Sequence, residues 1–351
     1  MTGASDIGLG RLVDSLFAET FPAHDRAEAE RVGLSVAQWK SVAELGFPLV
    51  GITEEAGGSG GTLLDLLVVL QAAGRHAVPL PLAETALAAG VLADAGLEIT
   101  AGPLATVPDV GGLTLRGGRL SGTASRVPWG RTADFVVAVM TDELGEQRAV
   151  RCAPPLSSIE PGSDLAGMPC DTITFDEVPV DTAAWPTTAG DPLLKGALLR
   201  SAQIAGAVTG AFELTRDYVT SRVQFGRPVS RFQSVQAHVV ELAQATTSTR
   251  LCVERAGVAA SCGPATFEIL ATKSVANRAA ARAAAAAHQA HGAIGMTREY
   301  PLQLLTRRLH QWRGEFGAAA EVEARIGAAV ARAGGVVALA TSDGGEGGAQ
   351  A

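Results

Sequence analysis

The stretch Arg222-Val223-Gln224-Phe225-Gly226-Arg227-Pro228, followed by Phe232-Gln233, gathers a cation, an amide, an aromatic ring and a glycine at the end of a long helical run. An arginine grips a pyrophosphate with a planar fork of donors. A phenylalanine stacks on a flat ring. Gly226 lets the chain turn, and Pro228 suits the first turn of a following helix. A charged helix end beside a turn would show the same letters, so the pentapeptide alone leaves both readings open. A second pattern of polar residues and glycines follows downstream: Gln289-Ala290-His291-Gly292-Ala293-Ile294-Gly295-Met296, then Thr297-Arg298-Glu299-Tyr300-Pro301.

Other reactive-looking groups carry less. Gly57-Gly58-Ser59-Gly60-Gly61 matches the letters of a serine nucleophile elbow, and Val50-Gly51-Ile52 before it can be read as a strand. The doubly wound sheet such an elbow needs is not evident, so a glycine-rich loop between helices explains it better. His288 and His291 share a helix end, where capping or core packing is the expected role of a pair lacking a third ligand. Gly206-Ala207-Val208-Thr209-Gly210 reads as close helix packing, and neither a Walker loop nor a dinucleotide fingerprint is present. Arg307 and Arg308 either reach a phosphate or lie on a solvated face.

Composition narrows the class. The 351 residues suffice for two or three domains. A net charge of −8 disfavours nucleic acid as a partner. Lysine occurs only at Lys40, Lys195 and Lys273, so arginine carries most of the positive charge. The four cysteines are scattered without a C-x-x-C and read as reduced, small hydrophobes. No apolar run reaches membrane-spanning length, because Arg278 and Arg282 interrupt the alanine-rich stretch. The N-terminal residues show no basic region followed by an apolar one, and a cytoplasmic protein is expected.

The texture changes twice along the chain. Residues 1–100 read as an N-terminal helical domain, with Leu63, Leu66, Leu67 and Leu70 as an apolar stripe. Residues 101–188 read as a small β domain. Leu113–Leu115 and Leu120 flank a Gly117-Gly118 turn, while Phe135–Met140 and Thr172–Phe175 are strands. Asp181 to Asp191 reads as a linker. Residues 189–340 return to helix: a start at Asp191-Pro192, a helix with Phe232, Val235, Val239 and Leu242 on one face, an alanine-rich helix to about His291, and a fourth after the Gly292–Gly295 turn. That predicts a four-helix bundle. Residues 341–351 are expected to be a disordered tail.

The two patterns quoted first resemble the acyl-CoA dehydrogenase family's R-x-[QT]-F-G…F-Q and Q-x-x-G-G-x-G-[YF]-x-x-E-Y-P. A third piece, Trp39, Glu44-Leu45-Gly46 and Glu54-Glu55-Ala56-Gly57-Gly58, is similar to the family's N-terminal W-x-x-L-x-E-x-G…E-x-x-G-G. The resemblance implies a mainly α fold with a central β-barrel-like domain and a C-terminal four-helix bundle. It implies FAD as cofactor, an acyl-CoA thioester as substrate, and α,β-desaturation with electrons passed to an electron-transfer flavoprotein. By resemblance Arg222, Gln224, Phe225, Gln233, Gln289 and Gly292 contact an FAD held mainly by a neighbouring subunit. A homo- or hetero-oligomer with another chain of the family is therefore expected.

The chain also departs from the family pattern. Ala293 replaces the second glycine of the Q-x-x-G-G turn. The T-E-P-x-x-G-S-D segment is missing; Pro161-Gly162-Ser163-Asp164 echoes its end too far downstream. Val127-Pro128-Trp129-Gly130 falls where a flavin-facing strand is expected, and Trp129 either stacks on the flavin or anchors a domain interface. In most members the base that removes the α-proton is a glutamate after E-Y-P; counting that separation lands on Phe316, with Glu315 one residue early. In a minority the base lies on the first bundle helix, and counting back from Arg222 lands on Gly196, beside Lys195. Glu315 is the candidate base. The alternatives are a base supplied by the partner, as in heteromeric acyl-CoA dehydrogenases with a shortened, base-less subunit, and an acyl-CoA-binding scaffold without redox chemistry.

Overall fold

The computed structural model describes residues 3–22, 26, 28–29 and 33–341. The tail expected at 341–351 lies outside these residues except for Thr341. Two compact units are present, one ending at Gly196 and one starting at Ala197.

The first unit opens with α1 (Gly3–Thr20) and α2 (Val36–Ala43), followed by α3 (Leu63–Arg75) and α4 (Leu82–Asp94). The predicted leucine stripe lies on α3 and buries Leu66, Leu67 and Leu70. Thr62 and Asp65 form a reciprocal capping box that fixes where α3 starts. The glycine loop before it is a packing device. A Cβ on Gly58 would stand 2.3 Å from the Ile52 carbonyl, and one on Gly46 would stand 2.6 Å from the Ser59 hydroxyl. Ser59 is thereby tied into a helix connection with no elbow geometry around it.

The strands are β1 (Leu104–Thr106), β2 (Leu113–Arg116), β3 (Arg119–Pro128), β4 (Phe135–Thr141), β5 (Gln147–Cys152), β6 (Ile159–Glu160), β7 (Cys170–Pro179) and β8 (Asp181–Ala184). They form two four-stranded sheets, ordered β1-β4-β5-β8 and β2-β3-β7-β6. The β1–β4 pair is parallel and the other pairs are antiparallel. Side chains alternate across a strand, so β4 sends Val136, Ala138 and Met140 into the core shared with Leu115, Leu120 and Phe175 of the other sheet. Val137 and Val139 point the opposite way, towards Ala88, Ala89 and Leu92 of α4. A strand buried on both faces reads as an unbroken apolar run, which is how Phe135–Met140 reads.

The expected linker from Asp181 to Asp191 is corrected in its first part. Asp181–Ala184 is β8, an edge strand on β5. Its Asp-Thr-Ala-Ala sequence has no apolar alternation to announce a strand. Trp129 is 4 % exposed and packs with Ala166, Met168 and Leu34; it is an anchor in the protein interior. The Pro161–Asp164 echo belongs to a loop held by Asp171. That carboxylate is fully buried, pairs with Arg131, and accepts backbone N–H groups from Arg131 at 2.7 Å and Gly162 at 3.0 Å.

The helical part continues with α5 (Pro192–Ser221), α6 (Gln233–Cys262), α7 (Thr266–His291), α8 (Leu302–Trp312), α9 (Ala319–Arg332) and α10 (Val336–Thr341). Asp191 accepts the Leu193 N–H at 2.9 Å, the helix start that Asp191-Pro192 predicts. The alanine-rich α7 packs against α6, α8 and α9. Its small side chains at 276, 279, 280, 283, 284, 286 and 287 are buried and let those neighbours approach. The expected helix after the Gly292–Gly295 turn is α8, which begins at Leu302; Gly292–Met296 is itself a short 3-10 turn, and a break at residues 313–318 separates α8 from α9. Phe316 and Gly317 at φ 51° and 112° make that break.

Replacing Asp171 by Ala leaves two backbone N–H groups without an acceptor and the Arg131 guanidinium without its carboxylate. A loss of about 3 kcal/mol is expected, the usual cost of breaking a buried ion pair on one side. It is read as a lower urea midpoint, and an unchanged midpoint would contradict the role assigned to Asp171.

Candidate functional site

At the end of α5 the backbone folds into a minimal hairpin. Arg222 N–H closes the helix on Tyr218 O at 2.8 Å. Val223–Gln224 (β9) then pairs antiparallel with Arg227–Pro228 (β10), and Val229 N–H returns to Arg222 O at 2.8 Å. The two turn residues, Phe225 and Gly226, have φ of 52° and 76°. Such a turn suits glycine at both positions. For phenylalanine the left-handed conformation costs about 1–2 kcal/mol. Phe225 is nonetheless 91 % exposed, meeting only the edge of Phe232 at 6.0 Å. The Arg227 guanidinium caps the same Phe232 ring at 4.2 Å. A strained aromatic presented to the outside is the kind of outlier found where a ligand binds.

Pro228 lies in the returning strand, which corrects its expected place in the first turn of a helix. A 3-10 turn at Val229–Arg231 follows, and α6 begins at Gln233 with Phe232 as an N-cap that offers no side-chain acceptor. Of the expected apolar face on α6, Leu242 is buried and Phe232, Val235 and Val239 are half-buried. Arg222, Gln224 and Gln233 are exposed, and among the described residues no carboxylate pairs with Arg222.

The Gln289–Pro301 segment leaves α7 and meets the end of α5 at Tyr218. Gln289 is exposed on the last turn, and Gly292 follows at φ 64° with open space where a Cβ would stand. His291 between them is 4 % exposed. Its Nδ1–H donates to Ala287 O at 2.8 Å, leaving Nε2 to accept from the Tyr300 hydroxyl at 3.3 Å. The ring stacks on Tyr218 with centroids 4.6 Å apart and planes 20° apart. Tyr300 closes the group edge-on to Tyr218 at 5.7 Å. Burial holds the His291 pKa below its ordinary value. His288 Nε2 meets Thr306 Oγ1 at 3.0 Å. Both histidines are packing groups, and no metal-binding cluster occurs among the described residues. Pro301 stands immediately before α8, as a helix entry. Arg308 is buried and donates to Leu304 O at 2.8 Å, so neither expectation for it holds; Arg307 is half-buried and donates to Gln303 Oε1 at 3.2 Å.

Glu315 lies elsewhere, in the break after α8. Arg200, on α5 and 2 % exposed, pairs with Glu315 Oε2 at 2.7 Å and donates to Gln203 Oε1. Gln311 Nε2 donates to Glu315 Oε1 at 2.7 Å. The Arg200 guanidinium lies over the Trp312 and Phe316 rings at 5.4 and 5.8 Å. From α7, Lys273 Nζ donates to Trp312 O at 3.0 Å and Asn277 Nδ2 to Gly317 O at 3.0 Å. Burial, reinforced by Arg200 and opposed by Glu315, pulls the Lys273 pKa down to about 7.

The structure therefore separates the predicted residues into two groups. The Tyr218–His291 stack joins the end of α5, from which the hairpin leaves, to the end of α7, from which the Gln289–Gly292 turn leaves. Glu315 is tied to Arg200, 22 residues before Arg222 and about 33 Å away at the rise of an α-helix. The first group fits FAD: a fork of donors for a pyrophosphate, an exposed ring for stacking, side-chain amides, and an uncapped helix start. Tyr218, Arg200 and Lys273 were not singled out as site residues from sequence. One signal was available for the first of them, because the chain has only two tyrosines and both meet at His291.

Comparison with known proteins agrees with this architecture. Residues 11–99 match "Acyl-CoA dehydrogenase, N-terminal domain" and residues 187–330 match "Acyl-CoA dehydrogenase, C-terminal domain". The chain is 32% identical over 297 residues to acyl-CoA dehydrogenase IpdE2 of Mycobacterium tuberculosis, covering 82% of this chain and 85% of that protein. It superimposes with a TM-score of 0.86 on a chain of the ChsE4-ChsE5 complex from Mycobacterium tuberculosis, at 22% identity over 94% of this chain and 98% of that one. The Tcur3481-Tcur3483 steroid ACAD G363A variant superimposes with a TM-score of 0.85, at 25% identity over 95% of this chain and 99% of that one. With both domain matches in chain order, a shared fold and a donor set suited to FAD, the chain belongs to the acyl-CoA dehydrogenase family, FAD-dependent oxidoreductases acting on acyl-CoA.

Proposed function

We propose that this chain is the FAD half-site subunit of a heteromeric acyl-CoA dehydrogenase, and that the base for the α-proton comes from a second, complete chain of the family. The observation that carries the reading is the engagement of Glu315. A general base must reach the proton it removes at hydrogen-bond distance. Glu315 Oε1 accepts from Gln311 Nε2, and Oε2 is buried in an ion pair with Arg200, although the pair is not aligned as a hydrogen bond. The position on the first bundle helix holds Gly196, which has no side chain to offer.

In the assembly, Arg222 would bind the FAD pyrophosphate, Phe225 would stack on a ring of the cofactor, and Gln224 and Gln233 would supply amide hydrogen bonds. Gln289 and Gly292 would border the same site through an exposed side chain and an open backbone turn. When bound, FAD supplies the acceptor for the hydride leaving the β-carbon of the thioester. Electrons would then leave to an electron-transfer flavoprotein. The resemblance to the Tcur3481-Tcur3483 steroid ACAD, named for two components, supports the heteromeric form. No helix among the described residues is long and apolar enough to cross a membrane.

Glu315→Gln in the flavin-containing assembly is expected to leave turnover within about threefold. A loss of the order of 10²–10⁴, the usual contribution of a general base, would make Glu315 the base and sink this reading.

The buried amine beside it has its own signature. Lys273 binds its proton less readily folded than unfolded, so between about pH 7 and 10 the unfolded chain holds more protons. Stability should therefore rise with pH across that window relative to Lys273→Met, and level off below pH 7. Parallel urea midpoints for the two proteins across this range would contradict a neutral amine at this position.

A further inference from the structure

The two FAD-facing motifs are far apart in sequence, and nothing within either one sets where the other lies. The contact that does so involves residues outside both sets of proposed ligands. Tyr218 is one turn before Arg222 and receives its N–H, so the Tyr218 backbone is the last fixed point before the hairpin. His291 directly precedes Gly292. The rings of Tyr218 and His291 stack at 4.6 Å, and Tyr300 touches both. The turn after α7 is further held by Gly295, where a Cβ would stand 2.8 Å from the His291 Cβ.

We infer that Tyr218, His291 and Tyr300 form an aromatic clamp that makes the α5 hairpin and the α7 turn a single rigid edge for FAD, with all three acting as positioning residues. The inference rests on the half-site reading above and deepens it. Phe225 and Arg222 are solvent-exposed on a two-residue hairpin, and such a hairpin is marginal by itself. Its orientation towards Gly292 has to come from what holds the α5 terminus, and the stack with His291 is that hold. A ligand spanning both motifs would pay an ordering cost if they moved independently. The clamp removes that cost before binding. His291 acts as the hinge pin: its Nδ1–H fixes the ring to α7 through Ala287, and its Nε2 takes the Tyr300 hydroxyl.

The test uses whichever oligomer of the full chain carries flavin, stripped of FAD and titrated with FAD by flavin fluorescence, alongside apo-protein melting. Arg222→Met reports on the half-site itself and should weaken FAD while leaving an affinity that titration can measure. Tyr218→Phe keeps the stack and should bind FAD as the parent does. Tyr218→Leu and His291→Leu should weaken FAD by about tenfold, the scale of a lost aromatic pair, with melting temperatures little changed. Each should be non-additive with Arg222→Met in a double-mutant cycle, because a misplaced hairpin has no grip left to lose. Tyr300→Phe, which removes only the hydroxyl, gives a graded, few-fold weakening and keeps the test available if a leucine variant does not assemble. Full FAD affinity in Tyr218→Leu and His291→Leu, with Arg222→Met defective, would overturn the clamp and spare the half-site. Full affinity in Arg222→Met would overturn the half-site reading itself.

Discussion

A guanidinium almost wholly removed from water sets the terms for the second unit. Arg200 needs a carboxylate and further acceptors, and it finds Glu315 and Gln203. Unpairing one side of such a buried pair costs about 3–5 kcal/mol. The break between α8 and α9 is shaped around this demand: Phe316 takes a left-handed conformation, its ring and that of Trp312 flank the cation, and Lys273 and Asn277 tie the break to α7. A carboxylate used in this way is a strut. Burial first, and the neighbouring Arg200 charge second, pull the Lys273 pKa down to about 7 against the opposing pull of Glu315.

The same helix that buries Arg200 presents Arg222 at its far end. α5 therefore links a closed polar cluster to an open donor set, with about 33 Å of helix between them. The open end has no internal ligand: its aromatic residue is exposed and strained, its arginine unpaired by any carboxylate among the described residues, and the helix that follows lacks a side-chain cap. Groups left in that state are satisfied from outside the chain. The carboxylate at the closed end is engaged by Arg200 and Gln311, and none of the residues proposed to face FAD is itself an acid or a base. The division between the two ends is what makes a partner chain necessary in the proposed function.

Much of the architecture was legible because local chemistry and global packing agree there. Leu113–Leu120 with its double glycine, the doubly buried run of β4 and the Asp191-Pro192 start of α5 appear where their patterns put them. β8 was hidden because an edge strand of Asp, Thr and Ala pairs through its backbone and has no apolar face to display. The break before α9 was hidden because a phenylalanine at positive φ looks like any helix residue in the sequence. The half-site motif was legible as a string of donors and a ring, but its geometry was not. Pro228 was expected to open a helix and instead returns a hairpin. The Tyr218–His291 contact joins α5 to the end of α7, and only the packed bundle makes them neighbours.

The most direct test of the account is the flavin-to-chain ratio of the purified protein, expressed alone and then together with a complete acyl-CoA dehydrogenase, with the mass of each species determined on the same sample. The account predicts little bound FAD for the chain alone and a flavin-loaded complex containing both chains. A stable homo-oligomer carrying one FAD per chain and turning over acyl-CoA would contradict it.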